Sequence, residues 1–157
     1  MGNRADADRR LLAFVLAGAA LCAHAAEPPN WEVAHDSGCA LRSAPQTMND
    51  GYQNVQARIV VDAAKVIVES PSDLDDSFSD IGLALSEHDF IRMDRVEGKK
   101  RAVFESRYAD LVKAFKAGRE VEARLRFWPE FPATGLHGAR FSLMGFTKAY
   151  DEAQGCK

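Results

Sequence analysis

The sequence predicts an all-β fold: an antiparallel, immunoglobulin-like β-sandwich with one inserted helix at about 106–118 and a short C-terminal helix. Two observations lead there. Six to eight short runs rich in β-branched and aromatic residues follow one another, separated by turn residues. Only one stretch of useful length has helical periodicity, whereas a parallel βαβ architecture needs several helices at regular intervals.

Trp31-Glu32-Val33 reads as a first short strand, and Ser37-Gly38 turns the chain into Cys39-Ala40-Leu41-Arg42. Residues 43–51 are loop by composition, ending in the strong turn signal Asn49-Asp50-Gly51. Val55, Ala57, Ile59 and Val61 alternate onto one face of the next strand, and Lys65 to Glu69 is a second β-branched run. Pro71 and small polar residues break the pattern until strands at 81–85 and 90–96. In the latter Phe90, Arg92, Asp94 and Val96 share a face, so neither face is cleanly apolar. Glu97-Gly98-Lys99 is a hairpin turn into Arg101 to Glu105.

Tyr108, Leu111, Val112 and Phe115 form the single helical stripe, with Ser106 as expected N-cap and Gly118 as expected C′ residue. Val121 to Trp128 is a strand ended by Pro129 and Pro132. Gly138 to Met144 is the last strand, and Gly145-Phe146 turns into a short amphipathic helix over 147–153. There is no internal repeat.

The first twenty-five or so residues read as an export signal rather than as structure. Arg4, Arg9 and Arg10 form a basic start, Leu11 to Cys22 are apolar, and Ala23-His24-Ala25 offers a small-x-small cleavage pattern. A spanning helix needs about 20 apolar residues, and Glu27-Pro28-Pro29 follows too soon. Leu21 is too bulky for a lipidation signal at Cys22. Cleavage before Ala26 leaves one domain, 26–157, with no membrane insertion, in the periplasm or secreted. The leader takes three Arg and two Asp with it, so the formal charge moves from −3 to −4. That balance gives no electrostatic reason to expect nucleic acid or an anionic membrane surface as the main partner, so no nucleic acid is expected.

Cys39 and Cys156 survive cleavage. An even, well-separated pair in an oxidising compartment reads as a disulfide, and neither sits in a CxxC redox motif. Closing so long a loop is worth about 4–5 kcal/mol in the chain-entropy model.

No nucleophile elbow, zincin or phosphate-loop motif is present. His35, His88 and His137 fall in loops or at strand ends, where solvated histidines are the better reading than catalytic or metal-binding ones. Asp73, Asp75, Asp76 and Asp80 open like a calcium loop, but Phe78 and Ala84 stand where that loop needs Gly and Glu. No cofactor and no metal is expected. Lys99, Lys100 and Arg101 form a basic cluster that suits an anionic glycan or a partner, although such clusters more often solvate a turn and guard an edge strand. Trp128-Pro129-Glu130-Phe131-Pro132 alternates aromatics with prolines. Burial as a plug at the end of the sandwich is the favoured reading; exposed, the two rings would anchor a binding surface. The candidate binding surface is accordingly Trp128, Phe131, His137, Lys99, Lys100 and Arg101.

The run Phe141-Ser142-Leu143-Met144-Gly145-Phe146-Thr147-Lys148-Ala149, with the helix ending at Phe115-Lys116-Ala117-Gly118 and the strand Val121 to Phe127, resembles the invasion-associated locus B family. Trp31 followed by Cys39-Ala40-Leu41 is similar to its N-terminal Trp and Cys region, and Ile67 to Pro71 to its central strand. The chain lacks that family's central cysteine pair. The resemblance implies a small exported bacterial β-sandwich, associated in pathogens with colonisation or entry of host cells, with no established enzyme activity.

The sequence therefore leads to a non-enzymatic periplasmic or secreted binding domain with a protein partner. A periplasmic inhibitor or immunity protein that blocks a hydrolase with the loop from Trp128 to Leu136 is the alternative, and a small-ligand carrier using space between the sheets is a third. No oligomeric state follows from the sequence.

Overall fold

The computed structural model describes residues 29–35, 38–128 and 135–156. The export signal and the segment 129–134, which includes Phe131, lie outside the described residues. Among the described residues eleven short strands and two helices follow one another: β1 (Trp31–Ala34), β2 (Ala40–Ser43), β3 (Gln46–Asn49), β4 (Asn54–Val61), β5 (Val66–Glu69), β6 (Gly82–Ala84), β7 (Phe90–Arg92), β8 (Arg95–Glu97), β9 (Arg101–Phe104), α1 (Tyr108–Ala117), β10 (Glu120–Leu125), β11 (His137–Ser142) and α2 (Phe146–Gln154). All named strand pairs are antiparallel. One sheet runs β1-β2-β4-β5-β9-β8 with β3 also on β4; the other runs β11-β10-β6-β7.

Strand periodicity builds the core between them. Ala57, Ile59, Val66, Val68 and Phe104 of the first sheet join Leu83, Val121, Ala123, Leu125 and Phe141 of the second in one buried cluster. The residues of opposite parity, Val60, Ile67 and Val103, form a second small cluster with Ala40 on the other face of the first sheet. Phe104, Phe115, Phe127, Phe141 and Phe146 are among the largest fully buried side chains, so the space between the layers is filled by aromatic rings.

The loop expected at 43–51 contains strand β3. Pro45 breaks the pairing, and β4 takes β3 along 54–57 and β2 along 60–61. At the seam the buried Ser43 hydroxyl accepts the Ile59 N–H at 2.9 Å, replacing a lost ladder bond. The strand expected at 90–96 is two strands in different sheets. β7 pairs with β6 and β8 with β9. Between them Met93 N–H donates to Ile81 O at 3.1 Å and Asp94 N–H to Val103 O at 2.8 Å. A chain that changes sheets reverses which parity faces inward, which explains the mixed faces read from sequence.

Helix α1 begins at Tyr108 rather than after a Ser106 cap. Ser106 donates its hydroxyl to Asp94 Oδ1 at 2.5 Å, and Asp94 Oδ2 accepts the N–H groups of Glu105 (2.5 Å) and Ser106 (2.9 Å). A carboxylate from the sheet switch thus meets the entry to α1, where negative charge is favoured. Gly118 closes the helix with extended φ −84° and ψ 171°, not left-handed as expected. A Cβ there would lie 3.0 Å from both Ala114 O and Leu143 Cδ1, so packing rather than torsion favours glycine.

Gly145, with φ +87°, turns the last strand into α2, whose Phe146 is fully buried and whose Ala149 is nearly so. Phe146 meets Trp31 edge-on at 4.9 Å and Phe115 at 5.3 Å between centroids. The Trp31 indole N–H donates to Ser142 O at 2.8 Å. The Gly-Phe-x-x-Ala segment is therefore the clasp joining β1, α1, α2 and β11. Cys39 and Cys156 form the expected disulfide, with Cα atoms 6.1 Å apart. It ties the β1–β2 turn to the end of α2. Among the described residues no helix is long and apolar enough to cross a membrane.

Candidate functional site

Beyond β10 the chain does not stop pairing when the strand ends. Phe127 is buried and bridges to Leu74. Around that bridge Asp75 N–H donates to Arg126 O at 2.9 Å, Trp128 N–H to Asp73 O at 2.8 Å, and Leu74 N–H to Lys99 O at 2.6 Å. Residues 73–75 therefore stitch the end of the second sheet to the β8–β9 hairpin of the first.

The hairpin presents that carbonyl because Gly98 (φ +55°) and Lys99 (φ +66°) are both left-handed. For Lys99 this is an uncommon conformation for a residue with a Cβ. The Lys100 carbonyl is also taken, by Ser70 N–H at 3.0 Å.

These contacts leave an open groove of about 610 Å³, lined by Asp73, Leu74, Asp75, Asp76, Val96, Gly98, Lys99 and Trp128. Trp128 is 62% exposed on its edge. The favoured expectation of a buried plug does not hold for this ring. Phe127, one residue earlier, takes the inward position, and strand alternation sends Trp128 outward. The outward side chain is carried on a backbone fixed by the Asp73 hydrogen bond.

The acidic loop is divided between support and groove. Arg126, only 15% exposed in its side chain, binds Asp80 through Nε (2.8 Å) and Nη2 (2.5 Å). Phe78 covers its guanidinium at 4.3 Å from the ring centroid. The Arg126 hydrogen bonds hold the Asp80 carboxyl below its ordinary value, against burial. Asp75 is buried and accepts the Ser77 N–H and hydroxyl. Asp73 and Asp76 line the groove, half-buried and exposed respectively. These four carboxylates do not converge on one point as a calcium loop would require: the only convergent metal-ligating group of three among the described residues is His35 with Cys39 and Cys156.

Of the predicted surface, the structure brings Trp128 and Lys99 into one groove. Lys100 and Arg101 line a neighbouring depression with Glu69 and Pro71. Arg101 stands 3.3 Å from Glu69 and 3.9 Å from Glu97 in a surface ion-pair network. His137 begins β11 and its ring lies 5.7 Å from that of Phe127, outside the lining of the groove. His88 sits exposed in the β6–β7 turn, and His35 against the disulfide. Sequence reasoning missed Asp73, Asp76 and Val96 as groove residues, because their approach to Trp128 depends on the Leu74–Phe127 bridge.

The chain matches no family model, no curated protein and no solved structure.

Proposed function

We propose that the protein is a non-enzymatic, exported binding domain that recognises a protein partner through the groove edged by Trp128. The observation that carries this reading is the 62% exposure of Trp128 on a rigidly hydrogen-bonded backbone. Tryptophan offers a large contact area with only two side-chain torsions to fix, and it is enriched at the energetic centres of interfaces. Lys99 together with Asp73 and Asp76 gives the groove both signs of charge, suited to orienting a polypeptide. Export to the periplasm or beyond agrees with the Cys39–Cys156 disulfide and with the likeness to the invasion-associated locus B family, whose host-associated role is part of the proposal.

The inhibitor reading draws on the same surface, since Trp128 and the exposed Leu136 flank 129–134. The carrier reading is disfavoured by the aromatic filling between the sheets. Immobilised wild-type protein and Trp128→Ala, matched for thermal stability, should be compared for capture of envelope proteins from the producing cell. The binding reading expects one partner at fixed stoichiometry, held about 30-fold more weakly by the variant, equivalent to about 2 kcal/mol. Equal retention by both proteins would remove Trp128 from the interface. A hydrolase as the captured partner would favour the inhibitor reading.

A further inference from the structure

The β1–β2 turn and the end of α2 bring three soft or borderline ligands together. His35 Nδ1 lies 3.4 Å from Cys156 Sγ and 3.8 Å from Cys39 Sγ. The ligand atoms of the three residues all fall within 4.8 Å of one another. His35 is exposed and both cysteines are half-buried, so ions and reductants reach the cluster from solvent. Gly38 (φ +71°) and Cys39 (φ +63°), which lead into β2, are both left-handed.

We infer that reduction of the Cys39–Cys156 disulfide converts this cluster into a binding site for Zn²⁺, with His35 Nδ1 and the two thiolates as protein ligands and water in the fourth position. The spacing supports it. In a tetrahedral zinc site with Zn–S about 2.3 Å and Zn–N about 2.0–2.1 Å, sulfur and nitrogen ligands stand about 3.6 Å apart and two sulfurs about 3.8 Å apart. Both sulfur–nitrogen separations already bracket the first value. The one movement required is parting of the two sulfurs from bonding distance, by side-chain rotation at a turn and at a helix end.

The chemistry balances in two steps. A dithiol reductant gives up two electrons and two protons, its own sulfurs joining as a disulfide while the Cys39–Cys156 bond breaks to two thiols. Binding of Zn²⁺ then displaces the two thiol protons to solvent. The metal closes the same loop that the disulfide closes, so the termini of the domain stay joined in either redox state. Bound metal also withholds the thiolates from oxidation.

The test uses the mature chain, reduced with a dithiol that is then removed without air. Zn²⁺ is titrated into it with proton release recorded, and Co²⁺ serves as a coloured substitute. The inference expects one equivalent bound by the reduced protein and none by the oxidised protein. It further expects about two protons released at a pH below the thiol range, sulfur-to-cobalt charge-transfer absorption, and slowed disulfide re-formation when Zn²⁺ is present. His35→Ala should weaken Zn²⁺ binding at least tenfold while leaving the disulfide able to form, and Cys39→Ser with Cys156→Ser should abolish it. Reduced protein binding no more Zn²⁺ than oxidised protein would overturn the inference. So would His35→Ala binding as tightly as wild type. Equal binding in strong urea, which would mean two cysteines of an unfolded chain suffice, would also overturn it. None of these outcomes depends on the Trp128 groove.

Discussion

Asp50, Asp80 and Asp94 show how single carboxylates replace regular secondary structure at the junctions of this fold. Asp50 accepts the N–H groups of Tyr52 (2.9 Å) and Gln53 (2.8 Å) and the hydroxyl of Ser72 (2.6 Å), pinning the β3–β4 turn to the loop before the groove. Burial opposes its charge, and these three donors outweigh burial to hold the group below its ordinary value of 3.8. At Asp94 burial also opposes, and the Ser106 hydroxyl with the Glu105 and Ser106 amides again prevails. With Asp80 lowered as well, the unfolded chain binds more protons than the folded one through this range. Their stabilisation is therefore present above 3.8 and is lost as pH falls through the lower folded values. Asp94→Ala is expected to cost about 1 kcal/mol at neutral pH by uncapping the entry to α1. It should also flatten the acid limb of the stability curve. Urea denaturation of wild type and variant between neutral pH and pH 3 checks both; parallel curves would show that Asp94 carries no linkage. The Asp50 turn was legible from Asn49-Asp50-Gly51; its Ser72 partner and the partners of Asp80 and Asp94 were not, because those contacts join residues that only the fold brings together.

At the scale of elements, the strands with clean alternation were legible and the stretch that changes sheets was not. β4 could be read from Val55, Ala57, Ile59 and Val61, and α1 from its apolar stripe, because each keeps one environment along its length. The 90–97 stretch does not, since Met93 and Asp94 carry it across the sandwich. The crossing brings β7 hard against β6: a Cβ on Gly82 would lie 2.3 Å from Ile91 O and 2.6 Å from the Phe90 ring. Gly82→Ala is thus expected to cost about 3 kcal/mol, the upper part of the usual overpacking range. Gly145→Ala has open space around the new methyl, and its cost is only that of the left-handed torsion, about 1 kcal/mol. Chemical denaturation of the two variants checks the order; a larger loss at Gly145 would mean that its turn, not the close approach at Gly82, limits packing.

Across the whole molecule the disulfide and the aromatic clasp act on the same seam. Cys39–Cys156 joins the β1–β2 turn to the end of α2, and Trp31 of β1, Phe115 of α1 and Phe146 of α2 interlock. Cys39→Ser with Cys156→Ser is expected to lower stability by about 4–5 kcal/mol, chiefly through the unfolded chain. The folded spectrum should survive, because the clasp is noncovalent; guanidinium unfolding with near-ultraviolet dichroism tests this. The covalent pairing was legible from the two cysteines that lie outside the expected export signal, and the ring of residues around Trp128 was not. Trp128 and Lys99 are 29 positions apart in sequence, and the bridge at Leu74 and Phe127 that unites them has no sequence motif. On the proposed reading, this groove is where a protein partner binds. A photo-crosslinking amino acid placed at 128 tests it most directly, with the equally exposed Met144 (64%), which lines a different cleft, as the control position. One discrete protein adduct from position 128 and none from 144 is the predicted result. Adducts from 144 alone, or the same adducts from both positions, would contradict it.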